Sequence, residues 1–517
     1  MQIQEVIKDI DIVHVSGGLS GDLSGDVSAI CYNSRNCERN NLFVAVCGLK
    51  SDGHDYIPEA IARGATFLVH EKDYISPPGI TAIKVPSSRR ALGILGKNFY
   101  NNPSAHLCLI GVTGTNGKTT ITYLLESILK AAGFSTGVLG TVNYRFNETV
   151  LPAPNTTPES YEMQKILRNM ADVGITHVIA EVASHAVDLR RVDDCAFDIG
   201  IFTNLTQDHL DYHRTMENYF QVKKRFFDEI IPAGKKYREY GMIVNVDDPW
   251  GQRLFNEVKT GLPSRTYGIE NKCDVTVNQF ALSLEGITAE VNTGQSHFTL
   301  CSPLIGKFNL YNILAAVTAS LSIKISERHI RTGIENVRQV PGRLEKVSVA
   351  GEPAIFVDYA HTDDALRRVL QNLSTFKKRR VITVFGCGGD RDRGKRPLMG
   401  DAAATLSDLA ILTSDNPRTE DPLSIIGEIE TGISRNSVKK YLPEELEKNT
   451  NVKGYVVIPD RRKAIETAVA LADISDIILI AGKGHENYQI IGNNRIPFDD
   501  RHVAREAMMN KQRGEKR

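Results

Sequence analysis

An excess of charge is the first thing this chain lacks: 62 lysines and arginines stand against 62 aspartates and glutamates. With no net field, and no long basic patch interleaved with aromatics, it carries no electrostatic footprint for nucleic acid or an anionic membrane surface. Cysteine is scarce as well. Eight are scattered at positions 31, 37, 47, 108, 195, 273, 301 and 387, without the paired short spacings of a zinc site and too thinly for a disulfide framework. Long apolar runs are missing; segments such as "DIILIAGKG" are strand-sized, far short of a membrane span. The first residues show no basic segment leading into a long apolar one. These absences lead us to expect a reduced, cytoplasmic globular enzyme without membrane insertion. At 517 residues the chain is too long for one ordinary core.

What is present falls into three regions. In residues 1–104, "NLFVAVCG" and "ATFLVHEKD" read as strands around the helical "YIPEAIARG". "YNSRNCERN" and the glycine-rich run 17–26 read as loops. Region 105–340 opens with "LCLIGV", a helix from Lys118, "THVIAEV" and "FDIGIFTNL". That alternation is how a parallel sheet with crossover helices looks in sequence. "DVTVNQFALS" and "ITAEVNT" then read as a small antiparallel addition, before "PLIGKFNLYNILAAVTASLSI" opens another helix. Region 341–517 alternates again through "AIFVDYA", "RVITVFGCGG", "LAILTSDNP", "GYVVIPD" and "DIILIAGKG". Its strands end in polar or glycine residues, and the carboxyl ends of strands are where open parallel sheets bind ligands.

Chemistry enters at residues 107–133, "LCLIGVTGTNGKTTITYLLESILKAAG". Gly114, Thr115, Asn116, Gly117, Lys118, Thr119 and Thr120 sit between a strand and a helix as a phosphate loop. In such a loop backbone N–H groups bend round the phosphates, the lysine meets the β and γ oxygens, and the following hydroxyl reaches Mg²⁺. Val112 replaces the first glycine of the usual G-x-x-x-x-G-K-[ST] pattern, so this is a variant. The expected fold is α/β in three domains (1–104, 105–340 and 341–517), with a central P-loop parallel-sheet ATPase domain and a C-terminal Rossmann-like domain. Glu181 ends the next strand, where an acid can hold Mg²⁺ beside a triphosphate; an exposed strand-end charge is the plainer reading. His209 reads equally well as structural or functional, and Lys223, followed by Lys224 and Arg225, reads alone as a solvated helix face.

The phosphate loop "TGTNGKTT", the "DHLDYH" segment, "LIGKFNLYNILAA" and "VDYAHT" together resemble the amide-bond-forming ligases of bacterial peptidoglycan precursor synthesis. Those enzymes share fold and chemistry with folylpolyglutamate synthetases. "NSRNCERNNLFVAVCGLKSDGHDYI", "NTTPES", "GCGGDRDRGKRPLMG", "TSDNPRTEDP" and "AGKGHENYQ" are similar to the branch of that family that adds diaminopimelate, and they run in family order over nearly the whole chain.

The resemblance implies ATP and Mg²⁺ as cofactors and two further partners, UDP-N-acetylmuramoyl-L-alanyl-D-glutamate and meso-2,6-diaminopimelate. It implies a uridine diphosphate domain, an ATP domain and an amino-acid domain in that order, in a chain we expect to be a monomer. Ser34 and the loop around His54 would line the nucleotide-sugar pocket. Asn155, Thr156, Thr157, Ser184 and Arg191 would hold the muramoyl peptide. Glu181 and His209 match Mg²⁺ ligands, and Lys223 matches a lysine that becomes carbamylated and shares the metal. Asn309, Asn312, Arg343 and Asp358 match ATP contacts. Arg391, Asp415, Asn416, Pro417, Arg418, Gly482 and Glu486 match the site of the incoming amino acid.

Diaminopimelate ends in a second ammonium and carboxylate, and a guanidinium fork suits that carboxylate, so Arg418 is the expected clamp and Glu486 the partner of the distal ammonium. Arg391 and Arg418 otherwise read as solvated loop charges. Asn33, Ala183, Ala186 and Asp363 depart from the family pattern without removing a phosphate or metal ligand. An L-lysine-adding relative, a folylpolyglutamate synthetase and a nucleotide-dependent switch protein are the alternatives.

Overall fold

The computed structural model describes residues 1–17, 23–48, 51–236, 241–258, 261–349, 351–448 and 453–515. The centre of the expected glycine-rich loop, residues 18–22, lies outside these, as do 49–50 of the loop ahead of His54.

Among the described residues, three larger sheets and two smaller ones form. The first has five strands in the order His14–Gly17, Thr81–Lys84, Ala65–His70, Asn41–Val44 and Ala29–Cys31, parallel except for His14–Gly17. The second has eight, with Cys108–Thr113 between Ile199–Phe202 and His177–Glu181 and parallel to both. The third has seven, in which Ala354–Asp358, Ile477–Ala481, Val381–Phe385, Leu409–Leu412 and Gly454–Val457 lie side by side and parallel. Thr276–Ser283, Gly286–Asn292 and His297–Ser302 form the small antiparallel sheet that the sequence leads one to expect.

Parallel strands covered on both faces need apolar side chains at every position rather than at alternate ones. The third sheet shows this. Phe356, Phe385, Leu412 and Leu479 point into one core. Ile355, Val357, Ile382, Val384, Ile411, Ile478 and Ile480, their neighbours in sequence, point into the other. Helices Asp363–Ser374, Lys395–Leu406 and Pro422–Ile433 close the first face, while Arg461–Leu471 and Asp500–Glu515 close the second.

By backbone proximity the chain packs as two units. One holds Met1–Leu205, Glu217–Val275 and Leu314–Gly333; the other holds Thr206–Met216, Thr276–Ile313 and Ile334–Arg517. Among the described residues no helix is long and apolar enough to cross a membrane.

One expectation is corrected. Cys31 and Cys37 form a disulfide, where the scattered cysteines argued against any. The short 3-10 helix Ser34–Asn36, capped by Asn33 Oδ1 on the Arg35 N–H, turns the chain back and brings the two Cα atoms to 5.9 Å. That separation suits a bridge, but it depends on a turn that cysteine spacing alone does not reveal.

Candidate active site

In the first unit the strand Cys108–Thr113 runs into the loop 114–117 and the helix Lys118–Ala131. Gly114 (φ 140°) and Gly117 (φ 92°) supply the left-handed backbone that such a tight turn demands. A Cβ at Gly114 would also overlap Thr203 Oγ1. The neighbouring strand Ile199–Phe202 feeds residues that brace the loop. Thr115 N–H donates to Asn204 O (2.8 Å), Asn116 N–H to Asn204 Oδ1 (3.0 Å), and Thr203 Oγ1 to Asn116 O (2.7 Å). Lys118 Nζ donates to the carbonyls of Gly114 (2.9 Å) and Thr115 (2.8 Å), and Thr119 and Thr120 are buried in the first helical turn. The loop is therefore preset, with N–H groups at a helix start, which is the geometry that holds a phosphate.

Lys223 does not lie on a solvated face. Its side chain is buried, and Nζ donates to Thr113 Oγ1 (3.3 Å) and Gly114 O (3.1 Å) at the root of the phosphate loop, 4.9 Å from the centre of the Tyr219 ring. Lys224 and Arg225 instead make ion pairs with Asp228 and with Asp193 and Glu229. A run of three cations thus splits into one inward and two paired side chains.

Glu181 is likewise buried, not an exposed strand end. Its Oε1 accepts the Thr141 N–H (3.0 Å) and its Oε2 the Thr141 hydroxyl (2.9 Å), which also meets Thr156 Oγ1 at 3.1 Å. A Cβ at Gly140 would come within 2.5 Å of Oε1. Thr157 ties this end together: its hydroxyl donates to Glu181 O (2.7 Å) and accepts the Ala183 N–H (3.0 Å), and its carbonyl accepts from Arg191 (3.2 Å). Ala183 has no capping side chain for the helix Ser184–Asp188, so Thr157 serves its N–H from outside. Asn155 gives its carbonyl to the Tyr144 hydroxyl. Arg191 and Arg89 share Glu159 at 3.4 and 3.2 Å, and Arg89 also reaches Cys47 O (3.2 Å). The residues matched to the muramoyl peptide, Asn155, Thr156, Thr157, Ser184 and Arg191, accordingly gather at the end of one strand.

Ser34 is buried with its hydroxyl on Glu59 Oε2 (2.7 Å). His54 has both ring nitrogens engaged: Nδ1 lies 2.6 Å from Asp52 Oδ1, and Nε2 accepts the N–H groups of Glu71 (3.1 Å) and Lys72 (3.4 Å). With Nε2 an acceptor, Nδ1 is the protonated nitrogen, and His54 organises its loop through that pair.

In the second unit, His209 has φ 54° and precedes the short helix Leu210–His213, with its Nε2 3.5 Å from Asp208. Asn309 and Asn312 are buried in the first turns of Lys307–Ser322, joined by a 3.0 Å bond from Asn312 Nδ2 to Asn309 Oδ1. Asp358 accepts the N–H groups of Leu344 (2.6 Å) and Ala360 (2.8 Å). Burial holds its carboxyl above the usual range, against the opposing pull of Arg343. The Tyr359 ring is flanked by Arg343 at 4.8 Å and by the rings of His361 (4.6 Å) and His485 (5.2 Å). Burial pushes the Tyr359 hydroxyl up to about 12 and pulls His485 down to about 4, the latter helped by Arg343 and Arg501.

The residues matched to the incoming amino acid converge where three strands of the third sheet end. Residues 415–418 are zipped against Tyr488–Ile491: Gln489 Nε2 donates to Asp415 O (2.6 Å), Ile490 N–H to Asn416 Oδ1 (2.9 Å), and Arg418 N–H to Ile490 O (3.1 Å). Arg418 itself adopts φ 51°, and its Nη1 donates to Gly389 O (2.8 Å), so the fork is aimed rather than solvated. Asn416 Nδ2 donates to Glu486 Oε2 (2.9 Å). Gly482 (φ 115°) passes close to Asp415, where a Cβ would meet Oδ2 at 2.6 Å. Pro417 lends its carbonyl to the close approach of Gly389. Arg391 is exposed and bonds only to the carbonyl of Asp390 among its described partners.

The sequence singles out none of Thr113, Thr141, Thr203, Asn204 or Lys483, the last of which joins the amino-acid cluster by donating from Nζ to Asn416 Oδ1 (3.2 Å). Topology brings their hydroxyl, amide, ammonium or backbone groups into place, which leaves no periodic or spaced signal.

Comparison with known proteins fits this geometry. The model of the Mur ligase middle domain matches residues 112–320, that of the Mur ligase glutamate ligase domain 342–484, and that of the Mur ligase family catalytic domain 26–100. The UDP-N-acetylmuramoyl-L-alanyl-D-glutamate--2,6-diaminopimelate ligase of Geobacter metallireducens is 45% identical over 97% of this chain and 97% of its own. A solved structure bearing the same name overlays with a TM-score of 0.68 at 30% identity, covering 99% of both chains. The MurF ligase from Thermotoga maritima in complex with ADP shares the fold, with a TM-score of 0.61 at 19% identity over 94% of this chain and 98% of that one.

Proposed function

The chain belongs to the Mur ligase family, and we propose that it uses ATP to join meso-2,6-diaminopimelate to the D-glutamate γ-carboxylate of UDP-N-acetylmuramoyl-L-alanyl-D-glutamate. We assign residues 1–104 to the uridine diphosphate, 105–340 to ATP and 341–517 to the amino acid, in a cytoplasmic monomer. The observation that carries the reading is the cluster of Asp415, Asn416, Arg418 and Glu486, which offers a carboxylate-binding fork next to ammonium-binding acids.

A carboxylate is a poor acyl donor because its leaving group would be oxide. Transfer of the γ-phosphoryl group onto the substrate carboxylate makes an acyl phosphate, whose leaving group is phosphate. The free amine attacks its carbonyl, and the tetrahedral intermediate collapses to the amide. No side chain acts as nucleophile. The work of the protein is to position and to neutralise charge. The N–H groups of 114–119 and the Lys118 ammonium receive the phosphates, and Thr156, Thr157, Ser184 and Arg191 orient the peptide carboxylate.

Thr119, buried Glu181 and Lys223, once carbamylated, would offer oxygen ligands that suit a hard cation such as Mg²⁺. As an ammonium Lys223 would repel that ion; as a carbamate it becomes an anion on the same buried arm. When bound, the metal would screen the charge of the migrating phosphoryl group.

The test is phosphate release coupled to product mass with ATP, Mg²⁺, the UDP-linked dipeptide and either diaminopimelate or L-lysine. Amide formation with diaminopimelate alone supports the reading. Preference for L-lysine would keep the mechanism and remove the Arg418 clamp, and phosphate release without amide would remove the ligase reading.

A further inference from the structure

A lysine that the proposed reaction does not use lies at the centre of the amino-acid site. Beyond the strand Ile477–Ala481 the chain turns at Gly482 and Gly484, both at positive φ (115° and 54°), and this drives the Lys483 side chain inward to full burial. Its Nζ donates to Asn416 Oδ1 (3.2 Å) and Glu486 Oε2 (3.1 Å) and lies 3.8 Å from Asp415 Oδ1, with the Tyr488 ring centre at 5.5 Å. The Glu486 oxygen that it holds is the one that Asn416 Nδ2 also holds. Two further fully buried cations lie nearby and are matched by their own acids: Arg461 by Asp500, and Arg396, whose Nη2 also donates to Gly388 O (3.3 Å), by Glu420 and Glu428.

The charges can then be counted. Asp415 and Glu486 contribute two negatives and Lys483 one positive, which leaves one net negative charge for a distal ammonium. Arg418 contributes one positive for a distal carboxylate, whereas Arg391, matched to the same site, is exposed and its charge is screened by solvent. The subsite is balanced for a zwitterionic end group. Without Lys483 the acidic side would carry two negatives, suiting a lone ammonium and repelling a neighbouring carboxylate, because uncompensated charge in a desolvated site discriminates strongly.

We propose that Lys483 is a specificity-determining residue that sets the charge balance of the amino-acid site in favour of a zwitterionic side chain over a simple cationic one. This rests on the diaminopimelate reading above.

The experiment measures kcat/KM of the full chain for diaminopimelate and for L-lysine, in the wild type, Lys483→Met, Lys483→Arg and the double variant Lys483→Met with Glu486→Gln. Lys483→Met should lower the diaminopimelate-to-lysine ratio by roughly tenfold or more, through KM for the amino acid and not KM for ATP. Lys483→Arg, which keeps the charge on a bulkier, planar head group in a fully buried site, should hold the ratio closer to wild type than Lys483→Met does. The double variant restores one net negative charge and should return the ratio towards wild type. It also covers the case in which the single methionine variant fails to fold. A methionine variant that loses both activities by the same factor would make Lys483 merely structural, and a double variant with the ratio still displaced would likewise overturn the proposal. A wild type that forms no amide with diaminopimelate would instead sink the ligase reading, whatever the variants do.

Discussion

Replacing Asp500 by asparagine should loosen the back of the third sheet more than any surface change. Arg461 and Asp500 are both fully buried, with Nε to Oδ1 at 2.8 Å and Nη2 to Oδ2 at 2.7 Å. Arg461 Nη2 also donates to Ala481 O (3.0 Å), one residue before Gly482, so the pair ties the helix Asp500–Glu515 to the carboxyl end of the strand Ile477–Ala481. An exposed ion pair contributes about 0–1 kcal/mol. Removing one partner of a buried pair costs about 3–5 kcal/mol, because the remaining guanidinium keeps its charge without water or a counter-ion. A chain with more than one packed unit has no single unfolding free energy, so the assay is native-state hydrogen exchange. Amides of Arg461–Leu471 and of the helix from Asp500 should exchange roughly 150- to 5000-fold faster in Asp500→Asn, with those of Lys118–Ala131 as the internal control. The pair Arg461→Met with Asp500→Leu should recover most of the loss, since apolar residues of similar size carry no desolvation penalty. Protection within about threefold of wild type in Asp500→Asn, or a double variant no better than the single one, would refute the reasoning.

The other two perturbations act on a histidine and a glycine. Burial, with Arg343 and Arg501 beside it, lowers the His485 pKa from 6.5 to about 4. The unfolded chain therefore binds the proton first, and stability is full above pH 6.5 and is lost as pH falls towards 4. The loss is about 3 kcal/mol over that window. Protection of the Ile477–Ala481 amides, corrected for intrinsic exchange at stepped pH, should fall less steeply with acid in His485→Asn, and equal slopes would exclude His485 as the cause. Gly114→Ala places a side chain at φ 140° and against Thr203 Oγ1. Nucleotide affinity by calorimetry should drop about 100-fold or more, from backbone strain together with the overlap. Binding within threefold of wild type would mean that the loop can relax around the methyl group.

How far the fold and site could be read in advance depended on the range of the interaction involved. Strands buried on both faces announce themselves as unbroken apolar runs, which is why "DIILIAGKG" and "RVITVFGCGG" read as strands and fold as Ile477–Ala481 and Val381–Phe385. The phosphate loop is equally local: strand, turn and helix follow one another within residues 108–131, and the glycines sit where positive φ is needed. Lys223 was legible only through family resemblance. Its neighbours Lys224 and Arg225 disguise it as part of a polar face, and its partner Thr113 lies 110 residues away. The Cys31–Cys37 bridge was missed for a related reason, because it depends on the turn at Ser34–Asn36 and not on the cysteines themselves.

Lys483 makes the same point about function. Beside His485 and Glu486 in "AGKGHENYQ" it looks like one more polar loop residue, and only the positive φ at the flanking glycines turns its ammonium inward onto Asn416, 67 positions away. A motif match can name the groups that touch a substrate. The residue that sets their combined charge becomes visible only once the chain has brought Asp415, Glu486 and Lys483 within one hydrogen-bonded group. Specificity in such a site is thus a property of a sum of charges, and altering one buried term should change which amine is accepted without altering the phosphoryl chemistry.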